Sequence, residues 1–469
     1  MNRYRTSRRS LIERSLAAAG TAVLAACRSQ AQPGCKDEGG PVVPRELRDE
    51  IVFWPRSISD ENTYRAILPL MQQRYPNITV RLEQPGGTLV EKLQVAVAGG
   101  TPPDGVTLGL NASTYLIGQG VFASLQRYLS RDKEVAALLQ KEFVPVSVEV
   151  YTYRNELYAI PVVNESIVFW YNKDALLEAG LTPPAEIEND PQRWNWNTVL
   201  EYARKVNRGS GFERARFGSD TLAARGIAGL SESWGNLVYS NDGRFISSDR
   251  TRWTMNTPPV RAAIEWIVDL QFKYDVSPSM EAMQRARVRD RDLFTQGRLA
   301  MVVQGEYFRR YLWGSAAPQG GLPFQYDLAL LPFAPGKMTR AAIYHGNGLF
   351  MVKDSKKHDA MWAWLSVMAT REAQQIVTDK WGSRGAHRGT YESWLARNAD
   401  GGPPGLNYAA MIKADSYAQP YPNSPKLAIE QLLEPTVRHM YDSVFTGQMS
   451  PAEGLRRIDE ETNARLAAA

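Results

Sequence analysis

The order of secondary structure is set by residues 78–109, which read ITVRLEQPGGTLVEKLQVAVAGGTPPDGVTLG. The segment ITVRLE alternates apolar with polar side chains, the pattern of a strand with one buried face. The segment TLVEKLQVAVA places apolar residues on one helical face, and the two glycines after it are typical of a helix C-terminus. The turn TPPD then leads into the short apolar run GVTLG. The stretch therefore predicts a strand, a helix and a second strand.

The chain on either side continues this alternation. Upstream, IVFWP (51–55) predicts a strand, and SDENTYRAILPLMQQRYPN (59–77) predicts an amphipathic helix that contains Pro69. Downstream, WNTVLEYARKV and HDAMWAWLSVMATREAQQIV predict further helices, the second with a buried apolar stripe. This order predicts an α/β sheet with parallel neighbours, in which ligands bind beyond the carboxyl ends of the strands.

The composition is that of a large globular protein and excludes disordered and collagen-like chains. A chain of 469 residues with 43% apolar side chains has material for two or three domains. The formal charge is +5, but residues 1–26 hold five arginines and one glutamate, so the rest carries only +1. No basic patch is interleaved with aromatic residues, and nucleic-acid binding is not expected.

The first 26 residues have the layout of an export signal. A basic segment, RYRTSRRS, precedes an apolar one, LAAAGTAVLAA, which at about 1.5 Å per residue is too short to cross a membrane. The segment LAAC that ends at Cys27 resembles a bacterial lipobox, and SRRSL resembles a twin-arginine signal. The alternative is a signal peptide that is cleaved without lipidation.

We therefore expect residues 1–26 to be a signal peptide, Cys27 to be lipidated and residues 27–44 to be a tether. The protein would be anchored to the outer face of the cytoplasmic membrane, facing a periplasm or an open cell surface. Both the twin-arginine route and the ordinary secretory route are compatible with the leader.

Residues 158–184, YAIPVVNESIVFWYNKDALLEAGLTPP, predict a buried strand followed by a helix. Asn164 and Glu165 interrupt the most apolar part of this stretch. A carboxylate is rarely buried without partners, because desolvation is costly unless hydrogen bonds replace the lost water. The pair therefore marks either a surface turn or a group that faces a ligand.

Four segments resemble one known family, the extracellular solute-binding proteins of ABC importers, which includes maltose-binding proteins. They are AVAGGTPPDGVTLG, LYAIPVVNESIVFWYNKDALLEAGLTPP, FTQGRLAMVVQGEY and HGNGLFMVKDSKKHDAMWAWLSVM. The second of them is similar to the family's Tyr-Asn-Lys-Asp and Gly-Leu-x-x-Pro signature. All four occur in the expected order between about residues 50 and 450.

The resemblance implies an α/β fold of two lobes, the type II periplasmic-binding-protein fold, with a ligand cleft between lobes joined by a hinge. Lobe one would comprise residues 45–162 and 344–382, and lobe two residues 163–343 and 383–469. The implied partners are a carbohydrate, the transmembrane subunits of an ABC permease, and the membrane through Cys27. We expect a monomer that needs no cofactor and no metal.

By the same resemblance, the first crossing between the lobes lies at IPVVNES, with Asn164 and Glu165 at the floor of the cleft. There Glu165 can accept hydrogen bonds from two adjacent sugar hydroxyls, and it matches a sugar-contacting position of the maltose-binding relatives. The alternative is that Glu165 pairs with a hinge arginine and only ties the lobes together.

Aromatic side chains are expected to pack on the CH faces of a sugar. Tyr307, which follows Glu306 in MVVQGEY, occupies a position that stacks on ligand in relatives. Trp54, Trp234 and Tyr239 lie near predicted strand ends or in loops, and for them interdomain packing is the alternative.

Polar ligand contacts are expected from two further segments. Asn111 and Ser113 follow the strand GVTLG, where relatives place sugar contacts; the alternative is an ordinary helix cap. Maltose itself is disfavoured, because the maltose-binding pattern has a charged pair where this chain has Asn111-Ala112. His345 and Asn347 alternate with glycines near the second crossing, where glycine permits close approach of the backbone to a ligand.

Arg384 lies at the expected third crossing, in WGSRGAHRG. Its planar guanidinium can clamp a hydroxyl, a carboxylate or a phosphate. The alternative is a salt bridge to Glu165 or to Asp354.

Enzymes and sensors are the rival classes. The sequence contains no zinc-protease, nucleophile-elbow, P-loop, paired-cysteine or dinucleotide motif, and its four histidines are scattered. A glycoside hydrolase needs only two carboxylates, for which Glu165 and Glu306 are the pair to consider. A sensor lipoprotein would use the same fold to present its ligand to a receptor. We expect a binding protein that is not an enzyme.

Overall fold

The computed structural model describes residues 42–220, 230–314, 316–381, 383–397 and 401–469. The expected signal peptide, Cys27 and all but the last three residues of the expected tether lie outside these ranges.

Strands alternate with helices along the whole described chain. The strands are β1 (Asp49–Trp54), β2 (Ile78–Leu82), β3 (Gly105–Gly109), β4 (Thr152–Tyr153), β5 (Glu156–Leu157), β6 (Ala159–Glu165), β7 (Ile167–Asn172), β8 (Met301–Gly305), β9 (Tyr326–Ala329), β10 (Ala342–Ile343), β11 (His345–Met351), β12 (Arg384–Gly385) and β13 (Ala418–Gln419).

The described α-helices are Ile58–Arg74, Leu89–Ala98, Leu110–Gly118, Gln126–Leu129, Lys133–Lys141, Pro145–Glu149, Lys173–Glu178, Pro184–Ile187, Trp196–Val206, Gly235–Ser240, Pro258–Phe272, Met280–Ala286, Asp290–Thr295, Arg309–Leu312, His358–Met368, Arg371–Trp381, Tyr391–Ala396, Ala409–Lys413, Ile429–His439 and Pro451–Ala468. Short 3-10 turns lie at Glu306–Phe308, Arg388–Thr390 and Ala414–Tyr417, and π-helical turns at Leu230–Trp234 and Met440–Val444.

The N-terminal strands form the parallel sheet that the sequence predicts. In a six-stranded sheet of order β12-β6-β11-β3-β1-β2, β1 pairs in parallel with both β2 and β3. Residues at alternate positions of β2 are buried, as the pattern of ITVRLE indicates. The later strand β11 inserts antiparallel between β3 and β6, and β12 adds antiparallel to β6. Distant parts of the chain thus complete a sheet that the first 109 residues begin.

The predicted helices are found, with one difference. The helix Ile58–Arg74 runs through Pro69, and the helix Leu89–Ala98 ends at the two glycines. The predicted helix over HDAMWAWLSVMATREAQQIV is two helices, His358–Met368 and Arg371–Trp381. Thr370 lies between them, and its hydroxyl oxygen accepts a hydrogen bond from the backbone N–H of Ala373 at 3.3 Å, so it caps the second helix.

Aromatic residues fill the core beneath the parallel sheet. The rings of Phe53, Tyr64 and Trp364 pack edge-on with centroids 5.7 to 6.2 Å apart, a favoured geometry for aromatic pairs. The predicted stripe is buried throughout, and its members are Met361, Trp364, Leu365 and Met368.

The second sheet has three antiparallel strands in the order β8-β7-β9. The chain passes into it from the first sheet at Ser166, the single residue between β6 and β7. It returns at Tyr344, the single residue between β10 and β11, whose backbone N–H donates to the carbonyl of Gln419 at 2.8 Å. Beside the second passage, β10 pairs in parallel with β13 in a separate two-stranded sheet.

Strand pairing differs slightly from the predicted lobe boundaries. β6 stays in the first sheet through Glu165, three residues beyond the boundary predicted after residue 162. β12 at 384–385 also belongs to the first sheet, although the predicted boundary precedes residue 383. The second boundary, between 343 and 344, coincides with the end of β10.

Candidate functional site

The carboxyl ends of the central strands meet at one edge of the six-stranded sheet. β3 ends at Gly109, which lies opposite Asn347 at the start of β11. His345, two residues earlier, lies opposite Glu165 at the end of β6. Asn111 follows β3 in the first turn of the next helix, where its side chain is exposed. Four predicted residues from three separate segments are therefore brought to one edge.

Arg56 joins this edge, although it is not among the predicted residues. Its Nη1 donates a hydrogen bond to Asn347 Oδ1 at 2.8 Å, and its guanidinium lies 5.5 Å from the centroid of the Trp381 ring. Its Nε lies 3.6 Å from the carboxylate of Asp60. Because Arg56 comes two residues after β1, its position at a strand end is the sequence signal that would have identified it.

Glu165 is half-buried at the same edge. Its Oε1 accepts a hydrogen bond from the hydroxyl of Ser383 at 2.6 Å. Within the described ranges it forms no ion pair, since Arg384 pairs with other carboxylates. The alternative that Glu165 pairs with a hinge arginine is therefore wrong, and its carboxylate stays a candidate for ligand hydroxyls.

His345 and its glycine neighbour line the second passage between the sheets. The His345 ring packs edge-on against Tyr421, with centroids 6.1 Å apart. A Cβ at Gly346 would lie 2.6 Å from the carbonyl oxygen of Val163 and 2.5 Å from the hydroxyl of Tyr344. The glycine thus makes room for the protein's own backbone and ring, whereas the sequence suggested room for a ligand.

Arg384 is the centre of a buried polar network that joins the two sheets, here called the hinge network. Its fully buried guanidinium pairs with Glu306 and with Asp415, the latter from Nη1 to Oδ2 at 2.7 Å. Its Nη2 also donates to the hydroxyl oxygen of Ser166 at 3.0 Å. Burial alone would lower the pKa of Arg384, but the two carboxylates raise it well above its ordinary value. Arg384 therefore clamps protein carboxylates where a ligand contact was predicted, and neither alternative partner, Glu165 or Asp354, is used.

Asn164 and Tyr391 extend the hinge network. Asn164 is fully buried, and its Nδ2 donates to the hydroxyl of Tyr391 at 2.8 Å and to Asp415 Oδ1 at 3.0 Å. The hydroxyl of Tyr391 donates to Asp415 Oδ2 at 3.0 Å. Asn164 thus binds protein groups where a ligand contact was expected. Neither Tyr391 nor Asp415 lies in a motif, so only the fold identifies them.

Glu306 is the second carboxylate of the hinge network and follows β8 directly. It is fully buried and accepts the backbone N–H of Ser166 at 2.9 Å as well as hydrogen bonds from Arg384. Burial raises the pKa of Glu306 to about 7, against the lowering effect of Arg384. The carboxylate is enclosed by protein groups where a ligand contact was predicted. For the same reason it does not form a substrate-facing hydrolase pair with Glu165.

Trp234 and Ser113 lie in the core. Trp234 is fully buried, packs edge-on against two phenylalanines and donates from Nε1 to the hydroxyl of Tyr441 at 2.9 Å. Ser113 is fully buried, and its hydroxyl donates to the carbonyl of Leu110 at 3.3 Å. Both side chains thus pack entirely against protein where ligand contacts were predicted.

The other predicted aromatic residues differ in exposure. Trp54 and Tyr307 are half-buried, and the hydroxyl of Tyr307 donates to Gln304 Oε1 at 2.6 Å. Tyr239 is only 5% exposed, and the guanidinium of Arg244 lies 5.0 Å from its ring centroid. Trp54 and Tyr307 therefore present ring surface to solvent.

Among the residues that the structure describes, no group of three or more histidine, cysteine, aspartate or glutamate side chains is placed to hold a metal ion. Within the same part of the chain, every helix is too short or too polar to span a membrane.

The chain is similar in sequence to known proteins. A family model described as bacterial extracellular solute-binding protein matches residues 57–375. The galactooligosaccharide-binding protein of Bacillus subtilis (strain 168) is 21% identical over 460 residues, which cover 97% of this chain and 96% of that protein. The sn-glycerol-3-phosphate-binding periplasmic protein of Rhizobium meliloti (strain 1021) is 23% identical over 341 residues, with coverage of 70% and 73%.

A solved structure is similar over nearly the whole fold. It is an ABC substrate-binding protein from Listeria monocytogenes in complex with cycloalternan, with a TM-score of 0.70 and 21% identity. The match covers 90% of this chain and 100% of that one. This likeness confirms the predicted fold class, an α/β fold of the type II periplasmic-binding-protein kind.

Proposed function

Because the chain belongs to the bacterial extracellular solute-binding proteins, we propose that it is the carbohydrate-binding subunit of an ABC importer. The relatives named above bind a galactooligosaccharide or a glycerol phosphate, and the similar solved structure holds a cyclic oligosaccharide. These ligands support a carbohydrate or a closely related polyol derivative for this chain.

The single observation that carries the proposal is the cluster of polar groups at the carboxyl edge of the six-stranded sheet. Glu165, His345 and Asn347 come from two adjacent strands, and Arg56 binds Asn347 at 2.8 Å. Together with the exposed Asn111 they offer carboxylate, amide, imidazole and guanidinium groups. Such planar polar groups suit the hydroxyl edge of a sugar, and the half-buried rings of Trp54 and Tyr307 suit its CH faces.

The mechanism we propose is closure about the passages at Ser166 and Tyr344. A ligand that binds the edge of the first sheet and then contacts the second lobe stabilises the closed form. It shifts the equilibrium only by the difference between its affinities for the closed and open forms, so groups from both lobes must contribute. The closed form would then deliver the sugar to the permease.

In this mechanism the hinge network has a mechanical role. Arg384 from the first sheet holds Glu306, which follows a strand of the second, and both contact Ser166 at the passage itself. These charge-assisted hydrogen bonds fix the pivot, so motion is confined to the segments around it.

Location belongs to the proposal as well. We propose that the chain is exported, that Cys27 is lipidated and that the monomer is anchored to the outer face of the cytoplasmic membrane. The leader supports this with its basic segment and lipobox-like LAAC, and its twin-arginine-like SRRSL supports export of the folded protein. A Cys27→Ser chain that still partitions into the membrane fraction would contradict the anchor.

The experiment that tests the function is a thermal-shift screen of the chain without residues 1–26. The panel contains mono- and oligosaccharides, polyols, sugar phosphates and amino acids. A specific ligand at about 100 times its Kd stabilises the folded state by roughly 2.7 kcal/mol and raises the Tm. Titration calorimetry of each hit then gives the affinity, and chromatography of the ligand after long incubation tests whether it is consumed.

A Tm increase with one sugar family and intact ligand is the expected result. A Tm increase with amino acids alone would contradict the carbohydrate assignment and leave the family unchanged. Consumption of the bound sugar would contradict a pure binding function.

A further inference from the structure

A cavity of about 460 Å³ opens among three segments, residues 239–244, 333–341 and 416–419. These segments adjoin β10 and include β13. Of the residues predicted to contact ligand they contain Tyr239, and they contain none of the polar residues at the edge of the first sheet. Its volume lies within the roughly 300–1,000 Å³ range of small-molecule sites. The cavity is large enough for a ligand and is not used by the mechanism proposed above.

Two arginines without acidic partners line this cavity. Among the described residues, no carboxylate oxygen lies within 4.0 Å of Arg244 or Arg340, and no ion pair involves either of them. Arg244 donates only to backbone carbonyls, those of Tyr239 and Gly243. Arg340 donates from Nε to the carbonyl of Leu331, while its Nη2 is buried and has no hydrogen-bond partner. A buried guanidinium nitrogen without a partner is costly, and an anion held close to Arg340 would offset the charge of its guanidinium.

The acidic side chain in the cavity wall does not supply that anion. Asp242 is the one carboxylate among the lining residues, and its Oδ2 lies 2.6 Å from Nζ of Lys337. The ion pair cancels its charge, so the lining keeps an excess of positive charge. Burial lowers the pKa of Arg340, against the raising effects of Tyr417 and Glu188.

Three aromatic rings also line the cavity, and the rest of its wall is formed by Met338, Thr339, Ala341, Ser416 and Gln419. The guanidinium of Arg340 lies 3.7 Å from the centroid of the Phe333 ring, and that of Arg244 lies 5.0 Å from the Tyr239 ring. Tyr417 adds a third ring. Each guanidinium thus lies beside an aromatic ring. Guanidinium groups bind carboxylate or phosphate, and aromatic rings suit the CH faces of a sugar.

We propose that this cavity binds an acidic sugar, taking its carboxylate or phosphate between Arg244 and Arg340 and its ring against Tyr239, Phe333 and Tyr417. The inference rests on the proposed function for the sugar part of the ligand. The inference that the ligand carries an anionic group rests on the two arginines alone. The ligand of this protein would then be an acidic carbohydrate, and the cavity would contact it in addition to the edge of the first sheet.

The test compares matched neutral and acidic probes by titration calorimetry. D-Glucose, D-glucuronate, D-glucose 6-phosphate and inorganic phosphate are titrated into the wild-type chain and into the variants Arg340→Gln, Arg244→Gln and Arg340→Lys. Arg285→Gln is the matched control, because Arg285 is 74% exposed and pairs with Glu281 on a helix surface. Circular dichroism confirms that each variant is folded, and Arg340→Lys retains the charge without the planar fork.

The expected result is binding of one acidic probe at least tenfold tighter than D-glucose. That affinity should fall at least tenfold in Arg340→Gln and Arg244→Gln, weaken with salt and stay unchanged in Arg285→Gln. The glucuronate and phosphate arms distinguish the two anion sources.

Two outcomes overturn the inference and separate it from the proposed function. If neutral sugars bind and acidic probes bind no more tightly, or if Arg340→Gln and Arg244→Gln bind acidic probes like the wild type, the cavity is not an acid site but the sugar-binding function stands. If no carbohydrate of either kind binds in this assay or in the thermal-shift screen, the proposed function fails together with the inference.

Discussion

Replacing Arg384 with methionine tests whether the hinge network stabilises the fold. Methionine keeps an unbranched side chain of similar length and removes the charge and all five guanidinium donors. Both partners lose their cation: Glu306 is fully buried, and the side chain of Asp415 is 12% exposed. Breaking a buried ion pair by removing one partner costs about 3–5 kcal/mol, because the other charge stays buried without compensation.

The size of the loss should depend on pH. Burial already raises the pKa of Glu306 to about 7, and Arg384 opposes that rise. Without the arginine, Glu306 takes up a proton more readily, which relieves part of the cost in acid. Arg384→Met should therefore lower the free energy of unfolding by about 3–5 kcal/mol at pH 8 and by less at pH 6.

Urea denaturation followed by circular dichroism at both pH values measures these losses. Arg456→Met is the matched control, because Arg456 is 46% exposed and pairs with Glu453 on a helix surface at 2.8 Å. An exposed pair contributes about 0–1 kcal/mol. The double variant Arg384→Met with Glu306→Gln should recover part of the loss, since it removes one stranded carboxylate.

A loss in Arg384→Met no greater than in Arg456→Met would refute the reasoning. So would a loss that is larger at pH 6 than at pH 8, because protonation would then not relieve the stranded carboxylates.

Three further predictions concern single residues. Glu165→Ala should weaken binding of the sugar identified by thermal shift by about 1–3 kcal/mol, the cost of a lost buried hydrogen-bond partner, and an unchanged Kd in calorimetry would remove Glu165 from the site. The pKa of Glu306 in the folded protein, about 7, lies above its ordinary 4.5, so its contribution to stability is full below about pH 4.5 and is lost as the pH rises through 7. Wild type should therefore lose about 3 kcal/mol relative to Glu306→Gln between pH 4.5 and pH 8, since each pKa unit is worth about 1.4 kcal/mol, and a constant difference in urea midpoints would contradict this. Trp234→Ala should cost about 3–5 kcal/mol of stability, as expected for a buried tryptophan, and leave the Kd for sugar unchanged. Weaker sugar binding by a folded Trp234→Ala would show that Trp234 does face the cleft.

Asn164 and Glu165 show that a local sequence pattern does not decide which of two adjacent residues faces a ligand. Asn164 and Glu165 adjoin each other at the end of β6, and the sequence assigned both to a ligand. Successive side chains of a strand point to opposite faces, so only one of the two faces the open edge. The structure buries Asn164 completely in the hinge network and leaves Glu165 half-buried beside Ser383.

The partners of Arg384 also could not be predicted from the sequence, because they lie far from it along the chain. Its residue type and its place near a crossing are readable in the chain, and both suit a ligand clamp. Its partners Glu306 and Asp415 lie 78 and 31 residues away, in segments with no shared motif. Whether an arginine faces a ligand or a buried carboxylate depends on which distant segments the fold brings beside it.

The sequence alone determines the alternation of strands and helices, the parallel start of the sheet and the family, because periodic burial and helix-end glycines are local properties of the chain. Tertiary structure alone decides that Arg384 pairs with Glu306 and that Asn164 binds Asp415. It also decides that Trp234 is core and that Arg56 and Asn347 meet at the sheet edge. The physical reason is that burial and charge compensation depend on packing between segments far apart in sequence, and the same polar side chain serves a hinge or a ligand according to the groups that surround it.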